Sequence, residues 1–172
     1  MLITLSSSQS NASFAPSRPA IEKSVSFDNT FSNPIVIPPY SSIALHSSKW
    51  TRLANVNDDL LGVRLRGLSG FESYSGAISG MSHVIGYFPN FNINNVSHGA
   101  NPHAENASGA IYHCMNPPLY LDLHNPSEIR LNSLSVDLVN IEEQVVTTND
   151  FHGGVVVLHV RKGIQPPRNK LK

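Results

Sequence analysis

Residues 128–162 read EIRLNSLSVDLVNIEEQVVTTNDFHGGVVVLHVRK, two runs of alternating apolar residues joined by a polar segment. Ile129 and Leu131 alternate, a slip follows at Asn132-Ser133, and Leu134, Val136 and Leu138 then resume the period of two that puts every second side chain on one sheet face. Val156, Leu158 and Val160 repeat the pattern in the second run. The two runs are expected to form a β-hairpin whose apolar positions, from Leu134 to Val160, lie in the core. No catalytic motif interrupts them, so the stretch points to a protein that works by packing and assembling rather than by turning over a substrate.

The rest of the chain has the same character. Twelve prolines and eleven glycines, with many Ser and Asn residues, break the sequence at short intervals, as short strands joined by turns require. No long segment places apolar residues at i, i+3, i+4 and i+7; the nearest helical candidate is Trp50 to Leu61. Strands are expected at Leu2–Leu5, Ile21–Phe27, Phe31–Ile37, Leu61–Leu65, His83–Phe88, Ile111–Met115 and Leu119–Leu123. Another is expected at Ser41–Trp50, with Ile43 and Leu45 on one face and Ala44, His46 and Trp50 on the other. Gly67–Gly80 reads as a loop. Pro89–Gly109 reads as an exposed insertion, because a buried loop would strand its backbone polar groups. The fold class is therefore all-β: two packed sheets with Greek-key connections, for which a single eight-stranded jelly roll is the commonest solution. Residues 1–20 are read as a terminal strand and flexible arm, residues 21–162 as the jelly-roll domain with a long loop at about 89–110, and residues 163–172 as a flexible basic tail.

At 172 residues the chain suits one domain that buries roughly 70% of its unfolded surface. Its single cysteine, Cys114, rules out an internal disulfide, suggests a reducing setting, and reads as a buried small apolar residue rather than a nucleophile. Residues 1–13 lack the basic and apolar regions of a signal peptide, and no apolar run approaches the ~20 residues of a membrane span. The sequons at Asn11, Asn95 and Asn106 are accordingly read as products of an Asn- and Ser-rich chain.

The formal net charge of zero conceals a division along the sequence. Residues 53–160 hold Arg64, Arg66 and Arg130 against ten carboxylates, whereas the last twelve residues hold Arg161, Lys162, Arg168, Lys170 and Lys172 with no acid. Those five cations are the candidate partner-binding residues. The tail reads as a solvated terminus or, more sharply, as an arm that docks on an acidic neighbour or on nucleic acid. Gln165-Pro166-Pro167 keeps it extended. Arg64 and Arg66 share one strand face and are expected to pair with acids or face solvent.

Metal chemistry has one weak candidate set. His98, His103 and Glu105, with His113 further on, offer nitrogen and carboxylate donors suited to Zn²⁺ or Fe²⁺. The cupin pattern, with two histidines one residue apart, is matched poorly, since four residues separate His98 from His103, and surface histidine is the preferred reading. Neither a metal nor any other cofactor is expected. No Gly-x-Ser-x-Gly elbow, Cys/His signature or Walker lysine is present, and the chain is not expected to be an enzyme.

Two segments carry a family resemblance. Phe31-Ser-Asn-Pro-Ile-Val-Ile-Pro-Pro-Tyr-Ser-Ser-Ile-Ala-Leu45 is similar to a pattern near the start of the single jelly-roll minor capsid proteins, the vertex pentons, of virophages, polinton-like viruses and large DNA viruses of eukaryotes. The run from Leu131 to Leu138, together with Val155-Val-Val-Leu-His-Val160, resembles their last two strands. The resemblance implies a structural virion protein: an eight-stranded jelly roll that forms a homopentamer at icosahedral vertices and contacts the double jelly-roll major capsid protein. It implies a virion location, after synthesis in the cytoplasm or nucleus of the host cell. The alternative reading is a lectin-like or tumour-necrosis-factor-like binding module, followed by a cupin-type metal-dependent enzyme.

Overall fold

A computed structural model describes residues 1–7, 23–51, 56, 58–68, 73–75, 80–90, 110–148 and 153–163. Within them the regular elements are β1 (Leu2–Ser6), β2 (Lys23–Ser24), β3 (Ser26–Ile37), β4 (Ser41–Thr51), β5 (Leu60–Arg66), β6 (Ser73–Ser75) and β7 (Gly80–Ser82). There follow β8 (Val84–Pro89), β9 (Ala110–Cys114), β10 (Leu121–Asp122), β11 (Ile129–Val139), β12 (Thr147–Thr148) and β13 (Gly153–Lys162). No α-helix occurs among the described residues.

A five-stranded sheet runs β1-β13-β4-β10, with β9 also on β4, and a four-stranded sheet runs β3-β11-β5-β8. All the pairings are antiparallel. β9 lies along the second half of β4, from Ser47↔Cys114 to Thr51↔Ala110, and β10 along its start, Leu121↔Ile43. The two therefore act as one interrupted strand, which leaves eight principal strands. Every connection between successive principal strands crosses from one sheet to the other, except the β5 to β8 link within the second. That order is a jelly roll, two interleaved Greek keys closed into a sandwich.

The apolar alternation has its physical cause here. Leu134, Val136 and Leu138 of β11 and Val156, Leu158 and Val160 of β13 are all buried, facing each other across the core rather than side by side. The expected hairpin is thus corrected: β11 pairs with β3 and β5, and β13 with β1 and β4. Both sheets present their apolar faces to one shared interior, so the period of two marks the inward face of each run without indicating its neighbour. The slip at Asn132-Ser133 is real. The β11–β3 register shifts between Leu131 and Ser133, which leaves both residues 132 and 133 exposed between buried Leu131 and Leu134.

Three other expectations are overturned. Trp50 faces the same way as Ile43 and Leu45, because β4 carries one extra residue: Leu158 pairs with Leu45 and Val157 with Ser47, so His46 bulges and the alternation changes phase. The helical candidate has both its ends in strands, Trp50 in β4 and Leu61 in β5. The Gly67–Gly80 stretch contributes to a small ladder, β6 with β7. The insertion at 91–109, the N-terminal arm beyond residue 7 and the tail beyond 163 lie outside the described residues.

Trp50 sits at the centre of the core, its ring 6.1 Å from Phe27 and stacked at 6.3 Å on Phe88. Gly154 lies directly opposite it, where a Cβ would come within 2.7 Å of the indole. Only glycine lets β13 pass that ring. At the rim, Asn29 joins the two sheets: its Oδ1 accepts from the Ser6 backbone N–H at 2.8 Å, and its Nδ2 donates to the Ser6 carbonyl at 3.0 Å. An edge of the first sheet is thus capped by a buried side chain of the second.

Candidate functional site

Of the five candidate partner-binding cations, the structure describes Arg161 and Lys162, at the end of β13 opposite Ser42 and Ser41. Arg168, Lys170 and Lys172 lie outside the described residues, as do His98, His103 and Glu105. Arg161 and Lys162 line an open cleft of about 530 Å³ together with Tyr40, Ser41, Ser42, Asp122, His124 and Gly163.

Two turns build the cleft, and one side chain ties them together. Pro38-Pro39 ends β3, since neither proline donates a ladder hydrogen bond, and the chain turns through Tyr40 into β4. After β10 the chain turns again at His124-Asn125-Pro126. Asn125, buried, accepts from the Ser41 backbone N–H at 3.0 Å and donates through Nδ2 to the carbonyls of Pro38 (2.8 Å) and Ser127 (2.9 Å). The Tyr40 N–H in turn donates to the Asn125 carbonyl at 2.7 Å, and the Ser41 hydroxyl to that of Pro38 at 2.7 Å. This bonding holds two non-glycine residues in the left-handed region, Tyr40 at φ 54° and His124 at φ 49°. Such conformations cost on the order of 1 kcal/mol each and persist where the surroundings over-determine them. Both residues line the cleft.

Arg161 is fixed by two contacts. Its Nε donates to Ser42 Oγ at 3.3 Å, and its guanidinium lies 3.9 Å from the centre of the Tyr120 ring. Tyr120 is itself held by a 2.6 Å hydrogen bond between its hydroxyl and His159 Nδ1. Partial burial, then the nearby charges of the N-terminus, His46 and Arg161, push the His159 pKa below its ordinary value, which favours the neutral ring. Among the described residues the terminal nitrogens of Arg161 and the amine of Lys162 have no protein partner. A Cβ at Gly163 would collide with the Tyr40 carbonyl, so glycine is needed where the chain passes this side of the cleft.

Arg64 and Arg66, on the outer face of the second sheet, are paired as expected. Asp137 Oδ2 accepts from Arg64 Nη2 (2.8 Å) and Nε (3.1 Å) and from Arg66 Nε (2.9 Å), and Oδ1 accepts from Ser26 Oγ (2.8 Å). Burial pushes the Asp137 carboxyl up, but the hydrogen bonds from Arg64, Ser26 and Arg66 and the charge of Arg66 outweigh it and hold the pKa below the usual carboxylate range. These bonds stitch β3, β11 and β5 together.

His113, the described member of the metal candidates, lies on β9 opposite Ser48, half-buried, with its ring 5.7 Å from Phe88. Burial lowers its pKa. Its Nε2 and the Ser48 hydroxyl are buried polar atoms without a hydrogen-bond partner. Among the described residues no group of three or more His, Cys, Asp and Glu side chains could hold a metal ion. Cys114 is exposed, against the expectation of a buried thiol, because it faces outward opposite Ser47 at the end of an edge strand.

Tyr40, Asn125, Tyr120 and His124 escape the sequence reading as site residues. Their turns are legible from Pro38-Pro39 and Asn125-Pro126; what one sequence does not reveal is that the two turns, 85 positions apart in the chain at Tyr40 and Asn125, are hydrogen-bonded side by side. Compared with family models, curated proteins and solved structures, the chain matches none.

Proposed function

We propose that the protein is a structural virion protein, a minor capsid or penton subunit that forms icosahedral vertices as a homopentamer and contacts the double jelly-roll major capsid protein. On this reading it acts by assembly and carries no catalytic centre, and it resides in the virion. One observation carries the reading. The two segments that resemble penton sequences, Phe31–Leu45 and Leu131–Val160, are strand neighbours in both sheets: Leu131 pairs with Ile35, Leu158 with Leu45 and Val160 with Ile43. The two likenesses therefore fall on bonded partners, as one shared packing pattern would require. The undecorated single jelly roll of the described residues agrees with it.

Closed cyclic association needs one surface of each subunit to meet a different surface of the next. Sedimentation velocity with native mass spectrometry on the purified chain tests the proposal. A five-chain species is expected; a strictly monomeric chain at high concentration removes the proposal, and a trimer shifts it to the tumour-necrosis-factor-like binding module.

A further inference from the structure

The cleft at the end of β13 is built more rigidly than a solvated terminus requires. Two left-handed turn residues face it, Asn125 cross-links the turns beneath it, and Tyr120 and Ser42 hold Arg161 with its terminal nitrogens unused. We infer that it is a binding site for an acidic peptide segment, with Arg161 taking a carboxylate through its guanidinium fork. Arginine fits this role because its planar donors match the two oxygens of a carboxylate. Its side chain is already ordered against Tyr120, so little rotamer freedom is lost on binding.

Charge complementarity selects the occupant. The cleft holds Arg161 and Lys162 against Asp122, a lining with an excess of positive charge. An acidic segment meets the unused nitrogens of Arg161 there, with Lys162 adding positive charge at the same end of β13. A polyphosphate backbone suits the cleft less well, because Asp122 opposes a continuous line of negative charge while leaving room for spaced carboxylates. The volume, about 530 Å³, falls in the range of roughly 300–1,000 Å³ common for ligand sites. The inference rests on the cleft alone and holds whether or not the chain forms pentamers.

The test is fluorescence anisotropy of a labelled peptide with alternating Glu and Gly residues, titrated with the full chain at low salt, beside its Gln-for-Glu counterpart and a single-stranded oligonucleotide. The Glu peptide is expected to bind at least tenfold more tightly than the Gln peptide and than the oligonucleotide. Arg161→Gln should weaken it roughly tenfold, since a charge-assisted hydrogen bond is lost, and Arg161→Lys should restore part of that loss. Asp122→Asn should tighten it, whereas Arg130→Gln, an exposed cation paired with Glu128 elsewhere, should leave it unchanged. Removing residues 164–172 should leave the preference for the Glu peptide over the Gln peptide in place. Equal binding of the Glu and Gln peptides, an equal effect of Arg130→Gln, or complete loss on tail removal overturns the assignment. Tighter binding of the oligonucleotide replaces the peptide with nucleic acid. Melting temperatures of each variant separate lost binding from lost folding.

Discussion

Arg64 with Arg66 and Arg161 with Lys162 are both pairs of cations near a strand end, yet one is closed and the other open. Arg64 and Arg66 alternate on one face of β5 and converge on Asp137, a buried carboxylate with its oxygens fully engaged. Arg161 and Lys162 are adjacent at the end of β13, and both residues line a cleft. The difference lies in what the fold brings opposite. Asp137 comes from the paired strand β11, in register with Arg64, and together with Asp28 of β3, 3.7 Å from Arg66, it balances the first pair within the sheet. Opposite Arg161 stands Ser42, which takes one N–H and leaves the charge unspent. Internal pairing makes structure; an unmet charge on a fixed frame is available to a partner.

The largest blow falls on both pairs together. Leu158 is fully buried in the core that underlies both sheets, and Leu158→Ala should cost ~2–5 kcal/mol, read by chemical denaturation. A loss below about half a kcal/mol would mean that the inward face of β13 has been misassigned. Asp137→Ala tests the closed pair alone. It removes the acceptor of both arginines and of Ser26, and because Arg64 and Arg66 remain partly exposed and can be hydrated, the expected loss is about 2 kcal/mol rather than that of a fully buried ion pair. Arg161→Gln tests the open pair. It should change stability by less than about 0.5 kcal/mol, as surface substitutions do, and a larger loss would make Arg161 a structural residue like Arg64.

The smallest effects are those of pH. For Asp137 the folded carboxyl binds its proton less readily than the unfolded one, so its stabilising contribution is complete above the unfolded carboxylate pKa of 3.8 and is lost as pH falls through the still lower folded value. His159 is also depressed in the folded chain. Its contribution is complete above the unfolded value of 6.5 and declines as pH falls below that, because the unfolded ring gains a proton first. Melting curves should therefore show a shallow loss of stability beginning near pH 6.5 that His159→Gln reduces, and a second, below pH 4, that Asp137→Asn removes. A stability flat from pH 7 to 5 in both the parent chain and His159→Gln would detach His159 from the frame that holds Tyr120 and Arg161.

The sequence carries the layer structure well and the adjacency poorly. The principal strands between Leu2 and Val160 are legible because most inward residues meet an apolar interior and most outward ones meet water, a contrast local to the strand; the short β6–β7 ladder is not. The same logic makes Leu134, Val136 and Leu138 of β11 and Val156, Leu158 and Val160 of β13 readable as core residues. Which strand lies beside which is decided by long connections that leave no mark on alternation, and so the hairpin reading of residues 128–162 fails. The phase change at His46 is invisible for a related reason: a bulge needs a partner strand to be defined, and nothing in Ala44-Leu45-His46-Ser47 announces one. For the site, Arg161 and Lys162 stand out by charge, while the frame that gives them a cleft rests on Asn125, an unremarkable turn residue whose role comes from touching Pro38, Ser41 and Ser127 at once.

Asn29 has a bearing on crowding. Outer strands of sheets are templates on which another chain can add itself, and native proteins blunt them with short edges or covering groups. β1 is five residues long, and its far end, at Ser6, already has both backbone groups engaged by an amide reaching over from the opposite sheet. A foreign strand arriving there meets a stopper instead of a free donor and acceptor. That end of β1 is thereby closed to edge-to-edge pairing, the contact through which sheets of separate chains fuse into fibres.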